Sequence, residues 1–415
     1  MKKFVLTAAV AATATLALAS CGGGNKEPET GRVVEDGKIG FILPGQEGEE
    51  IKNFRANWNA LAKEYGLETV YENFKGMDPG YYVQMADSLI SKGVDAIICN
   101  FEMDGKEAVI EKAVDAEVYV GYSGSSVSEA TFEEWENNPY FLGQVAPLMN
   151  EEIEQTYNMT KYYVEEYFGA NKKALPAGTE DLLAVWPVDF HGLSLEHQMT
   201  YRWKGMKEAL AEYGVTFVGD DKNADSTKWE VQYSNDSILK DKVIVMANDQ
   251  SNMPKLMADC STALSKKPAV ILSTCMADML LSIFAGQKAV LGEVRFGTVD
   301  SFADGYAKWY NADSKSQIAA FQVEHDPYIV GKFQAINNPI ITLVAKAFAG
   351  TPIRDNGKAV SINQKYWVAK TDEEFTKANK ASKEFKLSKA DLDKIQTAEQ
   401  LQKLYNDATL ENASK

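Results

Sequence analysis

Short apolar runs alternate along the chain with longer amphipathic stretches, and this alternation limits the fold more than any other feature. The first apolar runs lie at residues 38–43, 68–71 and 95–99. Between them, apolar positions recur with helical spacing up to about Tyr65 and over residues 81–92. Short runs separated by helices are typical of βαβ units, in which the strands are parallel. The sequence therefore predicts an α/β fold.

The alternation occurs in two blocks. It lapses after residues 118–120, where a long helix over 151–168 and a Gly/Pro-containing connector over 171–179 follow. We therefore expect two α/β lobes of similar construction. Residues 371–415 are rich in Lys, Glu and Asp and predict a helical tail whose charges face solvent. The strands of the second block are predicted at residues 181–186, 215–218, 243–246, 269–272 and 294–299.

The first residues have the pattern of an export signal. Two lysines precede an uncharged run over 4–19, which is about as long as the apolar core of a signal peptide and short for a membrane span. The run ends in Leu-Ala-Ser-Cys, which resembles the bacterial lipobox. This resemblance implies a signal peptide over residues 1–20, lipidation such as palmitate on Cys21, and a flexible linker over 21–37. An ordinary secretory leader with an incidental Cys21 is the alternative.

Charge and composition exclude several function classes. The 415 residues include 43 Lys+Arg against 59 Asp+Glu, for a net charge of −16, and only 3 His and 4 Cys. Binding to a nucleic-acid backbone needs excess basic side chains, and a zinc site of several ligands needs more His and Cys. The chain has no Walker loop, G-x-G-x-x-G, H-E-x-x-H or G-x-S-x-G motif. We therefore predict no nucleic-acid partner, metal, cofactor or catalysis.

The three remaining cysteines are an odd number for an exported protein. Cys99 ends the apolar run Ala-Ile-Ile-Cys and is predicted to pack within a buried strand. Cys260 and Cys275 could pair in an oxidising compartment, but spacing alone leaves two free thiols open as well.

Four segments in a fixed order resemble a known family. Residues 93–100 read Gly-Val-Asp-Ala-Ile-Ile-Cys-Asn, and residues 201–209 contain Arg-x-x-Gly-x-x-x-Ala. Residues 296–300, Phe-Gly-Thr-Val-Asp, resemble the end of a strand that is one residue shorter in the family. Residues 321–331 resemble the family's crossover between the lobes. Behind a lipobox, this order is similar to type I periplasmic binding proteins, in particular the ribose/galactose/xylose group of ABC importers. The resemblance covers about residues 38–369.

That family resemblance implies two Rossmann-like lobes with parallel sheets, joined by a hinge. It places the first lobe at residues 38–143 plus about 326–355, and the second at 144–325 plus about 356–370. A ligand would bind in the cleft between the lobes, beyond the carboxyl ends of the strands.

Three polar residues match cleft positions of the family. Asn100 would offer an amide that both donates to and accepts from a sugar hydroxyl, and the Asp300 carboxylate would accept from two hydroxyls. His325 falls near the family's cleft glutamine. Each residue has an alternative role: Asn100 as a turn residue, Asp300 as the N-cap of a helix from Ser301, and His325 as a hinge packing residue.

The chain departs from the sugar-binding pattern at the first loop, where the family carries an aromatic pair. Here residues 46–50 are acidic, so Gln46 and Glu50 are the candidate contacts. Tyr122 and Trp186 follow strands and could supply the stacking surface instead, although Trp186 also fits a core position. The acidic side chains are either solvated near a helix N-terminus or favour a neutral or cationic solute.

The resemblance implies a lipid-anchored protein of the cell envelope that captures a small polar, sugar-like solute and delivers it to an ABC transporter permease. A sensor that signals to a membrane kinase or chemoreceptor would use the same cleft. A nucleoside, a polyol or a cationic solute would also fit a polar, acidic cleft.

Overall fold

The computed structural model of the chain describes residues 31–43, 49–73, 79–100, 104–187, 198–218, 230–246, 253–274, 294–302, 328–332, 338–384 and 386–414. Two six-stranded sheets form the centres of two lobes, which confirms the predicted α/β class with parallel sheets. None of the helices in these ranges combines the length and apolar character that a bilayer span requires.

The first sheet has the strand order β13-β5-β4-β3-β1-β2, and all its pairs are parallel. Both faces are buried, since Ile39 and Phe41 of the strand β1 pack in one hydrophobic cluster and Ile42 packs in another. Parallel sheets normally have both faces covered. The strands are β1 (Lys38–Leu43), β2 (Glu68–Asn73), β3 (Ala96–Cys99), β4 (Tyr119–Ser123), β5 (Phe141–Ala146) and β13 (Val360–Asn363).

The second sheet has the order β14-β12-β11-β10-β6-β9, and only the β12–β14 pair is antiparallel. A separate antiparallel hairpin pairs β7 with β8. The strands are β6 (Glu180–Trp186), β7 (Val215–Val218), β8 (Glu230–Tyr233), β9 (Val243–Val245), β10 (Pro268–Ser273), β11 (Arg295–Ser301), β12 (Tyr328–Lys332) and β14 (Trp367–Ala369).

Helices cover these sheets and extend to the end of the chain. They are α1 (Glu49–Glu64), α2 (Pro79–Ser91), α3 (Lys106–Asp115), α4 (Glu129–Trp135), α5 (Met149–Phe168), α6 (Gln198–Glu212), α7 (Met253–Ser265), α8 (Pro339–Phe348), α9 (Asp372–Glu384), α10 (Lys389–Leu392), α11 (Ala398–Asp407) and α12 (Leu410–Ala413). Cys99 is fully buried within β3, as expected from its apolar run, and burial raises the pKa of its thiol to about 12.

Among the described elements the chain passes between the two sheets three times, and the pairing corrects the expected lobe boundaries. The passages lie between β5 and α5, between β12 and α8, and between β13 and β14. Residues 328–332 were expected in the first lobe, but β12 pairs with β11 of the second sheet. Residues 360–363 were expected in the second lobe, but β13 pairs with β5 of the first. The family resemblance set these boundaries without information on strand pairing, which long-range packing decides, so the assignment of both segments to a lobe was wrong.

The C-terminal tail is helical, but it is not only a solvated appendage. Phe375, Leu392, Leu401 and Tyr405 are each at most 2% exposed and belong to a cluster that also contains residues of both sheets. The charges that dominate its composition lie mostly on the outer side of these helices, in exposed ion pairs such as Lys394–Asp391. The tail therefore packs against the body of the protein through an apolar stripe.

The edge of the first sheet requires glycine at residue 143. Gly143 of β5 pairs with Val360 and has φ of 101°, in the region that side chains rarely adopt. A Cβ atom there would lie 1.9 Å from the Val360 carbonyl oxygen. The close approach of β13 to β5 therefore depends on the missing side chain.

We expect Gly143→Ala to lower the free energy of unfolding by about 2–4 kcal/mol, because it combines backbone strain with an overlap against a sheet carbonyl. Gly66→Ala is the matched control, since φ is 73° there but no atom lies within 4 Å of the added Cβ. The control should cost about 1 kcal/mol. Equal losses in urea-induced unfolding would contradict the packing argument.

Candidate functional site

The carboxyl ends of the first-sheet strands form one edge. The pairings Cys99–Tyr122 and Ser123–Val145 set Asn100, Ser123 and Val145 side by side. The Asn100 Nδ2 donates to the Ser123 carbonyl oxygen at 2.7 Å, and its backbone N–H donates to the Ile42 carbonyl at 3.0 Å. Asn100 thus ties together the ends of three strands, as a turn residue would, while its half-buried side chain stays at the edge.

The loop after β4 adds hydroxyl groups to this edge. Ser123, Ser125 and Ser126 are all buried. The Gly124 N–H donates to the Val145 carbonyl at 2.8 Å, which holds the loop against β5. The Ser125 Oγ is buried with no hydrogen-bond partner among the described residues. Ser125 was not among the predicted contacts, although the sequence has a run of serines directly after a predicted strand.

A buried glutamine lies at the third passage between the lobes. Gln364 follows β13, and its N–H donates to the Ala146 carbonyl at 2.9 Å. Its side chain is fully buried, and both amide atoms lack a partner among the described residues. Because β5 alone separates β4 from β13, Gln364 and Gly124 lie two strand spacings apart, or about 10 Å. A buried amide without partners is costly, so a ligand or a residue outside the described ranges would stabilise it.

The second sheet presents a similar edge. Trp186 ends β6 and Ser273 ends β10, and Thr298 lies beside Ser273 within β11. Asp300 lies two residues beyond Thr298 and pairs with Gly331 of β12. Because β11 continues through Ser301, the alternative of Asp300 as the N-cap of a helix from Ser301 was wrong. Asp300 therefore stands at the carboxyl end of its strand.

A buried ion pair connects this second edge to the hinge. The Arg202 Nε donates to the Glu152 Oε2 at 2.6 Å, and both side chains are nearly inaccessible. The Tyr366 hydroxyl, in the third passage, donates to the Glu152 Oε1 at 2.7 Å and accepts from the Arg202 Nη2 at 2.8 Å. The Arg202 Nη1 also donates to the Thr274 carbonyl, directly after β10, at 3.1 Å. Gln198 completes the set by donating to Glu152.

Tyr122 is not available as a stacking surface, which corrects its expected role. Its ring is fully buried in the cluster beneath α3, and its hydroxyl donates to the Lys106 carbonyl at 2.8 Å. Burial raises its pKa well above the usual value. Trp186 is also fully buried, in a cluster with Cys260 and Ile271, and this burial favours the core alternative. Both residues still belong to their strands, so their rings pack against a face of the sheet instead of projecting beyond its edge.

Several predicted contacts keep the status of predictions. Gln46, His325 and the lipidation residue Cys21 lie outside the described residues, as does Cys275. Glu50 belongs to α1 instead of the preceding loop. Across the described ranges, no group of three or more His, Cys, Asp or Glu side chains is arranged to hold a metal ion.

A pocket of about 320 Å³ opens between the lobes near the first passage. Ser126, Gln144 and Ser361 line it from the first lobe, and Asn150 and Tyr201 line it from the second. Gln144 is held in place because its Oε1 accepts from the Val127 N–H at 2.8 Å and its Nε2 donates to the Ser361 Oγ at 2.9 Å. Together with the two edges, this pocket gives the site hydroxyl and amide groups that suit a ligand rich in hydroxyls.

We expect Glu152→Ala to destabilise the protein by about 3–5 kcal/mol, because it leaves the Arg202 charge buried without its partner. Lys161→Ala is the control, since Lys161 forms an exposed pair with Glu212 at 3.0 Å, and this change should have little measurable effect. The measurement is urea-induced unfolding of both variants. If Glu152→Ala lowered the free energy of unfolding only slightly, the inferred contribution of the buried ion pair to stability would be contradicted.

Solved structures of similar fold include sugar-binding proteins. A galactofuranose-binding protein superposes with a TM-score of 0.55 at 14% identity, over 84% of this chain and 98% of its own. An ABC transporter solute-binding protein from Agrobacterium vitis, with bound D-fucose, gives 0.53 at 13% identity, over 80% and 95%. The arabinose-transporter binding protein from Shewanella sp. ANA-3, bound to α- and β-L-arabinofuranose, gives 0.53 at 14%, over 86% and 98%. No protein-family profile and no curated protein matches the chain. The chain has the fold of the type I periplasmic binding proteins.

Proposed function

We propose that this protein is an extracytoplasmic solute-binding protein that captures a monosaccharide between its two lobes. One observation carries the proposal. Buried hydroxyl and amide groups on Ser125 and Gln364 have no hydrogen-bond partner among the described residues, and they lie at the carboxyl edge of a parallel sheet, next to a passage between the lobes. Ligands of open parallel sheets bind beyond this edge. The sugars bound by similarly folded proteins support the same reading.

The chemistry of the edges favours a neutral, hydroxyl-rich ligand. The Ser125 hydroxyl and the Gln364 amide can each donate and accept, as sugar hydroxyls do, whereas the Asp300 carboxylate only accepts. The pocket between α4 and α6 has a volume within the range of small-ligand sites. The described edges offer no cluster of basic side chains that would favour an anion. Binding would then stabilise a closed arrangement of the lobes through contacts with both.

We expect a thermal-shift screen to find stabilisation by an aldopentose or aldohexose. A ligand at about 100 times its dissociation constant should add about 2.7 kcal/mol to the free energy of unfolding. The screen should also contain nucleosides, polyols, amino acids and cationic solutes. Stabilisation by one of these classes, with no response to any sugar, would contradict the proposed ligand.

The same ligand then tests the second edge. Asp300→Ala should weaken its binding about tenfold or more, because a charge-assisted hydrogen bond is lost. Asp115→Ala, an exposed carboxylate at the end of α3, should leave the affinity unchanged. Calorimetry that shows the same affinity for both variants would remove Asp300 from the site.

The attachment to the membrane and the transport role complete the proposal. The N-terminal lipobox-like segment supports lipidation at Cys21, and similarly folded proteins serve ABC transporters. The lipid would hold the protein at the outer face of a membrane, where the loaded form can meet a permease. Several residues of flexible linker would allow that encounter.

We expect the full-length precursor to incorporate a palmitate analogue when it is expressed in a bacterium, and to sediment with membranes. Cys21→Ser should abolish both properties because it removes the thiol that carries the lipid. Asn25→Ala, in the linker, should retain both. Labelling that persists in Cys21→Ser would contradict the assigned anchor.

A further inference from the structure

The C-terminal helices α9 to α12 attach to both lobes, and we infer that they act as a strap that limits the movement of one lobe relative to the other. The strap is defined as residues 372–413. The covalent connections between the lobes are the three passages near the hinge. The strap adds a non-covalent connection, and its attachment points decide what it can restrain.

The strap begins on the second lobe. The helix α9 follows β14 directly, and its Asn379 Nδ2 donates to the Phe302 carbonyl at 2.6 Å. Phe302 comes directly after β11, so this bond lies at the carboxyl edge of the second sheet. The rings of Phe302 and Phe375 also contact each other, with centroids 6.1 Å apart. This part of the strap moves with the second lobe.

The middle of the strap lies across the hinge. The Gln402 side chain in α11 accepts from the Asn363 N–H at 2.8 Å and donates to the Asn363 carbonyl at 2.9 Å. Asn363 ends β13 of the first sheet. At the end of α11, the Ala408 carbonyl accepts from the Trp367 Nε1, in β14 of the second sheet, at 2.7 Å. One helix therefore bonds to the strands on either side of the third passage.

The short helix α10 attaches to the first lobe away from the hinge. The Tyr65 hydroxyl, at the end of α1, donates to the Asp393 Oδ1 at 2.9 Å, and the Lys389 ammonium lies 4.5 Å from the centre of the Tyr65 ring. Lys346 donates to the Asp393 carbonyl. Lys346 lies about 10 Å along α8 from its start at the second passage, by the rise of an α-helix. Leu392 is fully buried beneath this attachment.

These attachments make lobe movement and strap docking mutually dependent. The α9 contacts belong to the second lobe, and the α10 contacts belong to the first at some distance from the hinge. A rotation of the lobes must therefore stretch the strap, slide it, or detach one end. In a molecule without the strap, the rotation would meet no restraint from these helices. The strap thus biases the population of lobe arrangements, which is a form of conformational control.

The test measures the distance between the lobes without any ligand, so its result does not depend on the proposed function. Spin labels at positions 115 and 240, both exposed and one on each lobe, report that distance in the full chain by pulsed electron resonance. Labels on genetically encoded side chains avoid the native cysteines. The strap-release variant combines Leu392→Asp, which places a charge in a buried site, with Gln402→Ala. The control is Lys394→Asp, which places the same charge at an exposed position two residues further along.

We expect the strap-release variant to show a broader distribution of lobe distances than the parent, and the control to match the parent. Hydrogen exchange provides the second measurement: amides of α10 and α11 should lose protection in the release variant, while those of β3 and β10 keep it. An unchanged distance distribution with a detached strap would overturn the proposal. If the amides of α10 and α11 stayed protected in the strap-release variant, the proposal would be overturned as well. The docking of the strap would then not depend on Leu392 and Gln402.

Discussion

The carboxylate of Glu152 holds together three segments that are far apart in the chain. Glu152 lies in the first turn of α5, directly after the first passage. Its carboxylate pairs with Arg202 of α6 and accepts a hydrogen bond from Tyr366 in the third passage. Because these groups are removed from water, each depends on the others for its hydrogen bonds. The Arg202 bond to the Thr274 carbonyl extends the network to the edge of the second sheet. The position of that edge relative to the hinge thus rests on one charged cluster.

Much of the fold was predictable because apolar runs mark buried parallel strands whatever their neighbours are. The strand β5 was missed, since Gly143 and Gln144 interrupt its apolar pattern and the reasons for both lie in distant residues. The lobe assignments of β12 and β13 failed for a related reason. Strand pairing is decided by long-range packing, and a run of four or five residues carries no information about its partner.

The site was predictable only at the level of the strand ends. The resemblance to the family selected Asn100 and Asp300 at strand ends, and both lie at an edge. The expectation for Tyr122 failed because Tyr122 lies within β4, where side chains of a sheet covered on both sides pack against a face. The role of Gln364 could not be predicted from the sequence, because Gln364 is buried only where the chain passes from one sheet to the other. The serines after β4 could be recognised in the sequence as a polar run, but the complete burial of Ser125 could not be predicted from it.

The place of β13 in the first sheet has a consequence for the order of folding. The first lobe begins at the amino-terminal end, yet its edge strand and the helix α8 come from residues 339–363, after most of the second lobe has been made. Until those residues emerge from the ribosome, β5 has an open edge next to Gly143, and the Asn363 backbone that Gln402 will bind does not yet exist. Contacts of such long range form slowly. The first lobe of the nascent chain therefore stays incompletely folded for most of its synthesis. An incompletely folded chain can still pass through a translocation channel.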